Sequence, residues 1–375
     1  MSTLIKDQPR LKDPPRRSGD LHIETLRGLA VILMVAGHVI GASPDVGMRV
    51  DDASIWRSCY DSLLFLRMPL FTVLSGAVYA MRPVTPGAAS RFLQGKVRRL
   101  LVPALVVGGA FYITQALIPG VNSPPELSEI WQVAVYSYAH FWFLHALLLI
   151  FLLIVTLELA GALASFRGWL VCTAISFAAA AANWNPSPIF ALNSAIYMLP
   201  FFLWGLGIYR FRATFDRRDV TLVMLSIAVV AVAARQLTLH GVLHLPVGRQ
   251  DPLTLVAGLA ACALLLRFRF SIYWLAKVGA FSYGIYLLHV FGTGGSRIAL
   301  AKAGFTNESV HFTIGLIAGI AFSIVAELIL SKSAIARTLV FGRRLEWIQN
   351  RRRDAGSQTA AAALTRPLQT RERAF

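Results

Sequence analysis

Residues 26–40 read LRGLAVILMVAGHVI. The run is apolar enough to span a membrane, yet Arg27 opens it and His38 sits deep inside it. An ionisable side chain in hydrocarbon costs free energy unless it is paired or faces water, so such a residue marks a candidate functional site. On a helix, the step from Arg27 to His38 corresponds to about 16 Å of rise and about three full turns, which leaves both side chains on one stripe. Glu24, three residues before Arg27, lies within pairing reach.

The rest of the chain has the same character. Of its 375 residues, 56% are hydrophobic and only 15% are charged, with a mean hydropathy of +0.60. That composition excludes an ordinary water-soluble domain and places the chain in a bilayer. Apolar stretches of roughly 17–25 residues recur about ten times. They fall at 25–43, 60–81, 100–118, 140–160, 168–184, 189–209, 219–235, 252–266, 273–292 and 310–331; the seventh and eighth are short, which is also compatible with one of them being re-entrant. The expected fold is therefore all-α: a polytopic integral membrane protein of about ten transmembrane helices.

The net charge of +17 would suit a nucleic-acid binder only if it formed one basic face on a soluble domain. Here the basic residues lie between apolar runs. With alternate loops assigned to opposite sides, 28 of the 36 lysines and arginines fall on the side of the termini and six on the other. This bias predicts that both termini are cytoplasmic, and it accounts for the charge without a nucleic-acid partner. The amino-terminal segment has no apolar core of a cleavable signal, so the first span is expected to direct insertion. Three segments are expected: a disordered cytoplasmic arm over 1–23, a transmembrane unit over 24–335 and a basic, disordered cytoplasmic tail over 336–375. Cys59, Cys172 and Cys262 show neither metal-ligand spacing nor a disulfide framework.

Several spans bring basic groups to the depth of His38. Arg67, in FLRMPLFTVLSG, lies about two turns below the outer end of the second span. It either faces the protein interior or reaches up to the headgroups. HFWFLHALLL brings in His140, Trp142 and His145, and FSYGIYLLHV brings in His289. Trp142 by itself would suit an interfacial aromatic belt. One such group would usually be structural, but several from separate spans predict a polar cavity opening outward. On the inner side, Lys96, Arg98 and Arg99 in GKVRRLLVP stand level with Arg27. Topology alone would place charges there, and clustered they could also bind phosphates.

These motifs, in order, resemble those of the membrane-bound acyltransferase-3 family, which includes inner-membrane O-acyltransferases of bacterial polysaccharides. LRGLAVILMVAGH is similar to its R-x10-H signature, FLRMPLFTVLSG to its second span and KVRRLLVP to its R-x-x-R segment. HFWFLHALLL and FSYGIYLLHV are similar to its Trp-Phe-Leu and Tyr-Leu-x-His spans. The resemblance runs with gaps over 24–292, and VFGTGGSRI after His289 looks most like the fucose 4-O-acetylase and exopolysaccharide acetyltransferase branch. It implies Arg27 and His38 as the catalytic pair and Arg99 as the second arginine of R-x-x-R. Lys96 replaces the first arginine of that segment and loses its planar fork. Glu24 stands where aspartate is common, and no appended hydrolase-like domain is expected.

The implied reaction moves an acyl group, most simply acetyl, from cytoplasmic acyl-CoA to a hydroxyl of a cell-surface or exported glycan at a bacterial inner membrane. Arg27, Lys96 and Arg99 would hold the donor phosphates, with the pantetheine arm running along the first span. His38 would act as general base or as transient acyl carrier. Arg67, His145, His289 and Trp142 would bind the acceptor, a glycan or lipid-linked sugar, with Arg67 and His289 binding it or stabilising the oxyanion. No metal is expected, and membrane lipid and polysaccharide-assembly machinery are the expected partners. A transporter or flippase for a glycan or lipid-linked intermediate is the alternative, because it too would use intramembrane histidine and arginine. A passive subunit of an export complex would tolerate loss of His38.

Overall fold

The computed structural model of the chain describes residues 18–344. Its α-helices, in order, are α1 (Ser18–Ile40), α2 (Ile55–Ser62), α3 (Arg67–Met81), α4 (Ala89–Lys96), α5 (Val102–Leu117), α6 (Gln132–Val135), α7 (Trp142–Leu159) and α8 (Phe166–Ala181). They continue as α9 (Leu192–Arg210), α10 (Arg212–Phe215), α11 (Arg218–Leu239), α12 (Pro252–Arg267), α13 (Tyr273–Ala280), α14 (Ser282–Lys302), α15 (Glu308–Leu330) and α16 (Ala334–Leu339). No strand occurs among the described residues. A π-helical segment, Val97–Leu101, joins α4 to α5 and carries Arg98 and Arg99. An inserted turn of this kind re-aims the side chains it contains.

Among the described residues, seven helical stretches are long and apolar enough to cross a bilayer, and the bent pair α13–α14 makes eight if counted as one span. The protein is thus a polytopic, all-helical membrane protein. α8 and α12, at 16 residues each, are apolar but short. Such a helix rises about 24 Å, less than the roughly 30 Å of hydrocarbon. The stretch expected as a marginal seventh span is a full 22-residue helix, α11. The expected ninth span is instead broken between Ala280 and Ser282, with a bend of 77°.

The helix boundaries follow local chemistry. Side-chain oxygens of Ser54, Ser165, Asn307 and Ser333 accept from backbone N–H groups two or three residues on, starting α2, α8, α15 and α16. α1 starts at Ser18, inside the segment expected as an arm, because tertiary bonds hold its polar first turns. His22 Nδ1 lies 2.8 Å from Phe270 O, and Ile272 N donates to Thr25 Oγ1 at 3.1 Å. Residues 1–17 and 345–375 of the expected arm and tail lie outside the described residues. Residues 336–344 do not form a loose tail: α16 runs to Leu339, and Phe341 is buried.

α1 stands at the centre, packed against α3, α13, α14 and α15; α3 packs along α9, which in turn packs on α7 and α8. Small residues allow the closest crossings. A Cβ at Gly76 would stand 2.0 Å from Phe202 O, and one at Gly205 would stand 1.9 Å from Val73 O, so α3 and α9 meet backbone to backbone. The apolar windows of α1, α7 and α9 are 56% buried, whereas those of α11 and α15 are 17% and 22% buried and present Leu, Ile and Val outward. The latter pair forms the lipid-facing rim.

Candidate active site

α1 delivers His38 to the end of an almost wholly buried face. Val31, Met34, Val35 and Val39 around it are buried, but His38 itself is exposed, because its ring projects into a cavity of about 530 Å³. The turn beyond it is fixed by Arg57, which donates to Gly41 O and to Val50 O (3.2 Å) and pairs with Asp52 at 3.2 Å. This holds the chain that follows the imidazole in one arrangement.

Three elements bring imidazoles together. His140 comes from the turn ahead of α7 and His289 from α14. The His38 ring lies 4.8 Å from that of His289 and 5.7 Å from that of His140, and the latter two are 4.7 Å apart, centroid to centroid. His289 Nδ1 lies 2.9 Å from Ile285 O and 3.0 Å from Tyr286 O. A carbonyl can only accept, so Nδ1 carries the proton and neutral His289 keeps a lone pair on Nε2. That nitrogen is buried without a partner. Among the described residues, no group of three His, Cys, Asp or Glu side chains is placed to hold a metal ion.

Arg67 enters from the start of α3, where its guanidinium lies 3.7 Å from the Tyr60 ring centroid. It covers the backbone beside His38 so closely that a Cβ at Gly37 would meet Arg67 Nη1 at 1.9 Å. Arg67 thus faces the interior rather than the headgroups. Trp142 is on the cavity wall, with Arg249 5.8 Å from its ring centroid and at the same distance from that of Tyr197. The wall mixes aromatic faces with the polar ends of Gln115, Asn122, Arg67 and Arg249. Such a lining can stack on apolar ring faces and hydrogen-bond to hydroxyls. A second cavity, of about 360 Å³, adjoins the first through His38, Phe111, Gln115 and Asn122.

Two expected acceptor residues are placed elsewhere. His145 does not line the cavity: its Nδ1 lies 3.2 Å from Phe141 O and its ring packs edge-on against Phe190, at 4.6 Å. It lies five residues beyond His140, about 140° further around a helix, and so looks away. His289, fully buried, stands behind His38 rather than on the wall. Tyr60, Gln115, Tyr197 and Arg249 were missed, since in sequence they read as ordinary span residues or as a loop charge.

The inner cluster also differs from expectation. Lys96 and Arg99 line a basic cavity of about 640 Å³, but Arg27 does not. Arg27 is half-buried on α1. The Lys96 ammonium lies 3.5 Å from the Phe151 ring centroid, so an aromatic face partly satisfies its charge. This cavity and the one at His38 share no lining residue. Val31 and Met34, on the stripe between Arg27 and His38, are packed at 0% and 2% exposure. The path expected along this stripe is closed.

A family model described as an acyltransferase domain, acyltransferase-3, matches residues 20–328. No curated protein and no solved structure matches the chain.

Proposed function

Since the chain belongs to the acyltransferase-3 family and is therefore an acyltransferase, we propose that it moves an acyl group, most simply acetyl, from acyl-CoA to a glycan hydroxyl. The observation that carries this reading is the placement of His38. It is the exposed imidazole at the end of a buried helix face, beside Arg67, on a cavity whose aromatic and polar walls suit a sugar. The acceptor is a glycan or lipid-linked sugar of the cell surface. In this reading the side of Lys96 and Arg99 faces the cytoplasm of a bacterial inner membrane, where the donor is found, and the excess of basic residues on that side supports the orientation.

In the proposed step His38 takes the proton of the acceptor hydroxyl as its oxygen attacks the thioester carbonyl. Arg67 lies close enough to His38 to receive the negative charge that develops on the carbonyl oxygen. Collapse of the tetrahedral intermediate breaks the carbon–sulfur bond, and the departing thiolate takes the proton from the His38 imidazolium. His289 offers its Nε2 lone pair beside the base and so favours one orientation of the His38 ring. In this reading Arg27, which does not line the basic cavity, acts through α1 rather than by contact with the donor phosphates.

The test is free-thiol release from acyl-CoA by the purified full-length protein in lipid nanodiscs, with cell-surface glycan as acceptor. His38→Ala is expected to lower the rate by about 10²-fold or more at unchanged protein yield. Undiminished release in this variant would remove the catalytic assignment. A glycan carrier, the alternative drawn from the sequence, would liberate no thiol at all. Radiolabelled acyl-CoA without acceptor would label the protein only if His38 carries the acyl group covalently.

A further inference from the structure

The chain beyond α15 is built onto the basic cavity as a strap. Phe341 is buried, and Arg98 Nε donates to Gly342 O at 2.8 Å. Arg343 Nη2 reaches back to Glu327 Oε1, at 3.1 Å. Gly342 has φ +60, and a Cβ there would stand 2.3 Å from Arg98 O and 2.6 Å from Arg99 Cα. Only glycine accepts both that backbone and that approach. The strap therefore sits in a fixed register on the π-helical segment, and it lies outside the 20–328 stretch that the family model covers.

Its effect is to add a second cationic wall. Lys96, Arg98 and Arg99 face Arg337, Arg343 and Arg344 across about 640 Å³, and no acidic side chain is among the lining residues. Arg98 is engaged by Gly342, Arg343 by Glu327 and Lys96 by the Phe151 ring, while Arg99 and Arg344 are exposed. Cations held this close repel one another unless an anion lies between them. Arginine forks suit phosphate oxygens, and the Phe92 ring on the same wall offers an apolar face.

We infer that the strap, through Arg344 and the Gly342 turn, completes a binding site for a phosphate-bearing ligand, the phosphate and diphosphate groups of the donor CoA. This rests on the acyl-CoA reading above. The same phosphate chemistry is also found on anionic lipid headgroups, and the test separates the two sources.

Full-length protein in phosphatidylcholine nanodiscs is titrated with CoA and with phosphate-free pantetheine. Arg344→Gln, at an exposed position, is expected to weaken CoA binding about tenfold and to leave pantetheine unchanged. Gly342→Val should act in the same direction by lifting the strap. An unchanged CoA affinity in Arg344→Gln, or an equal loss for pantetheine, would overturn the site. So would Arg344-dependent binding of phosphatidylglycerol with no CoA binding, which would assign the phosphates to lipid. Arg344-dependent CoA binding without His38-dependent transfer would leave the site standing and remove the catalytic reading. Transfer with a silent Arg344 would do the reverse.

Discussion

Gly37 is where the site is most sensitive to a single atom. A methyl group there would meet Arg67 Nη1 at 1.9 Å, and Nη1 is the far end of a flexible side chain, so the guanidinium would move while the helix stays. Gly37→Ala is therefore expected to lower turnover about tenfold or more with little change in thermal unfolding, as a displaced oxyanion donor would. Proton NMR of the acyl signals on surface glycan, alongside a melting curve of the purified variant, checks both halves. His38 and Arg67 are legible in the sequence because an ionisable side chain within an apolar run is costly to keep and so stands out against its neighbours. His140 and His145 could not be told apart there, since both sit in one histidine-rich motif and only the turn before α7 decides which ring reaches the cavity. Arg249 lies in a loop between α11 and α12, and its position over Trp142 and Tyr197 depends on tertiary folding alone.

Between helices, the polar link of α7 to α9 is the contact most open to test. Arg210 Nη2 reaches both oxygens of Glu158, at 3.0 and 2.9 Å, and both side chains are mostly buried. Glu158→Ala would leave a cation largely out of water and is expected to lower stability by about 3 kcal/mol, read as an earlier unfolding transition in detergent. Replacing both partners with leucine or methionine should restore most of the loss. Hydropathy located most of the helices within a few residues, because an apolar length is a property of the chain itself. It did not locate the 77° break after α13, where no proline interrupts the sequence. That break follows from packing: Gly28 and Gly279 bring α1 and α13 into backbone contact at Leu275 O and Glu24 O, and α14 then leaves in another direction. The start of α1 was misplaced for a related reason, since His22 and Thr25 are held by a loop some 250 residues away.

Across the fold, the cavity at His38 and the basic cavity between α4 and the strap share no lining residue. A donor arm that joins them along α1 has to displace Met34, which forms the floor of the His38 cavity. Met34→Trp should therefore abolish acyl transfer while CoA still binds at the basic cavity, a combination measurable in one nanodisc preparation. Retained transfer would mean that the arm takes another route. The closed floor also matters for the cell when no reaction is under way. Each elementary charge crossing a bilayer releases about 2.3 kcal/mol per 100 mV. With Val31 and Met34 packed shut, the stripe along α1 offers no water-filled path for such a charge, so the voltage across the membrane is preserved.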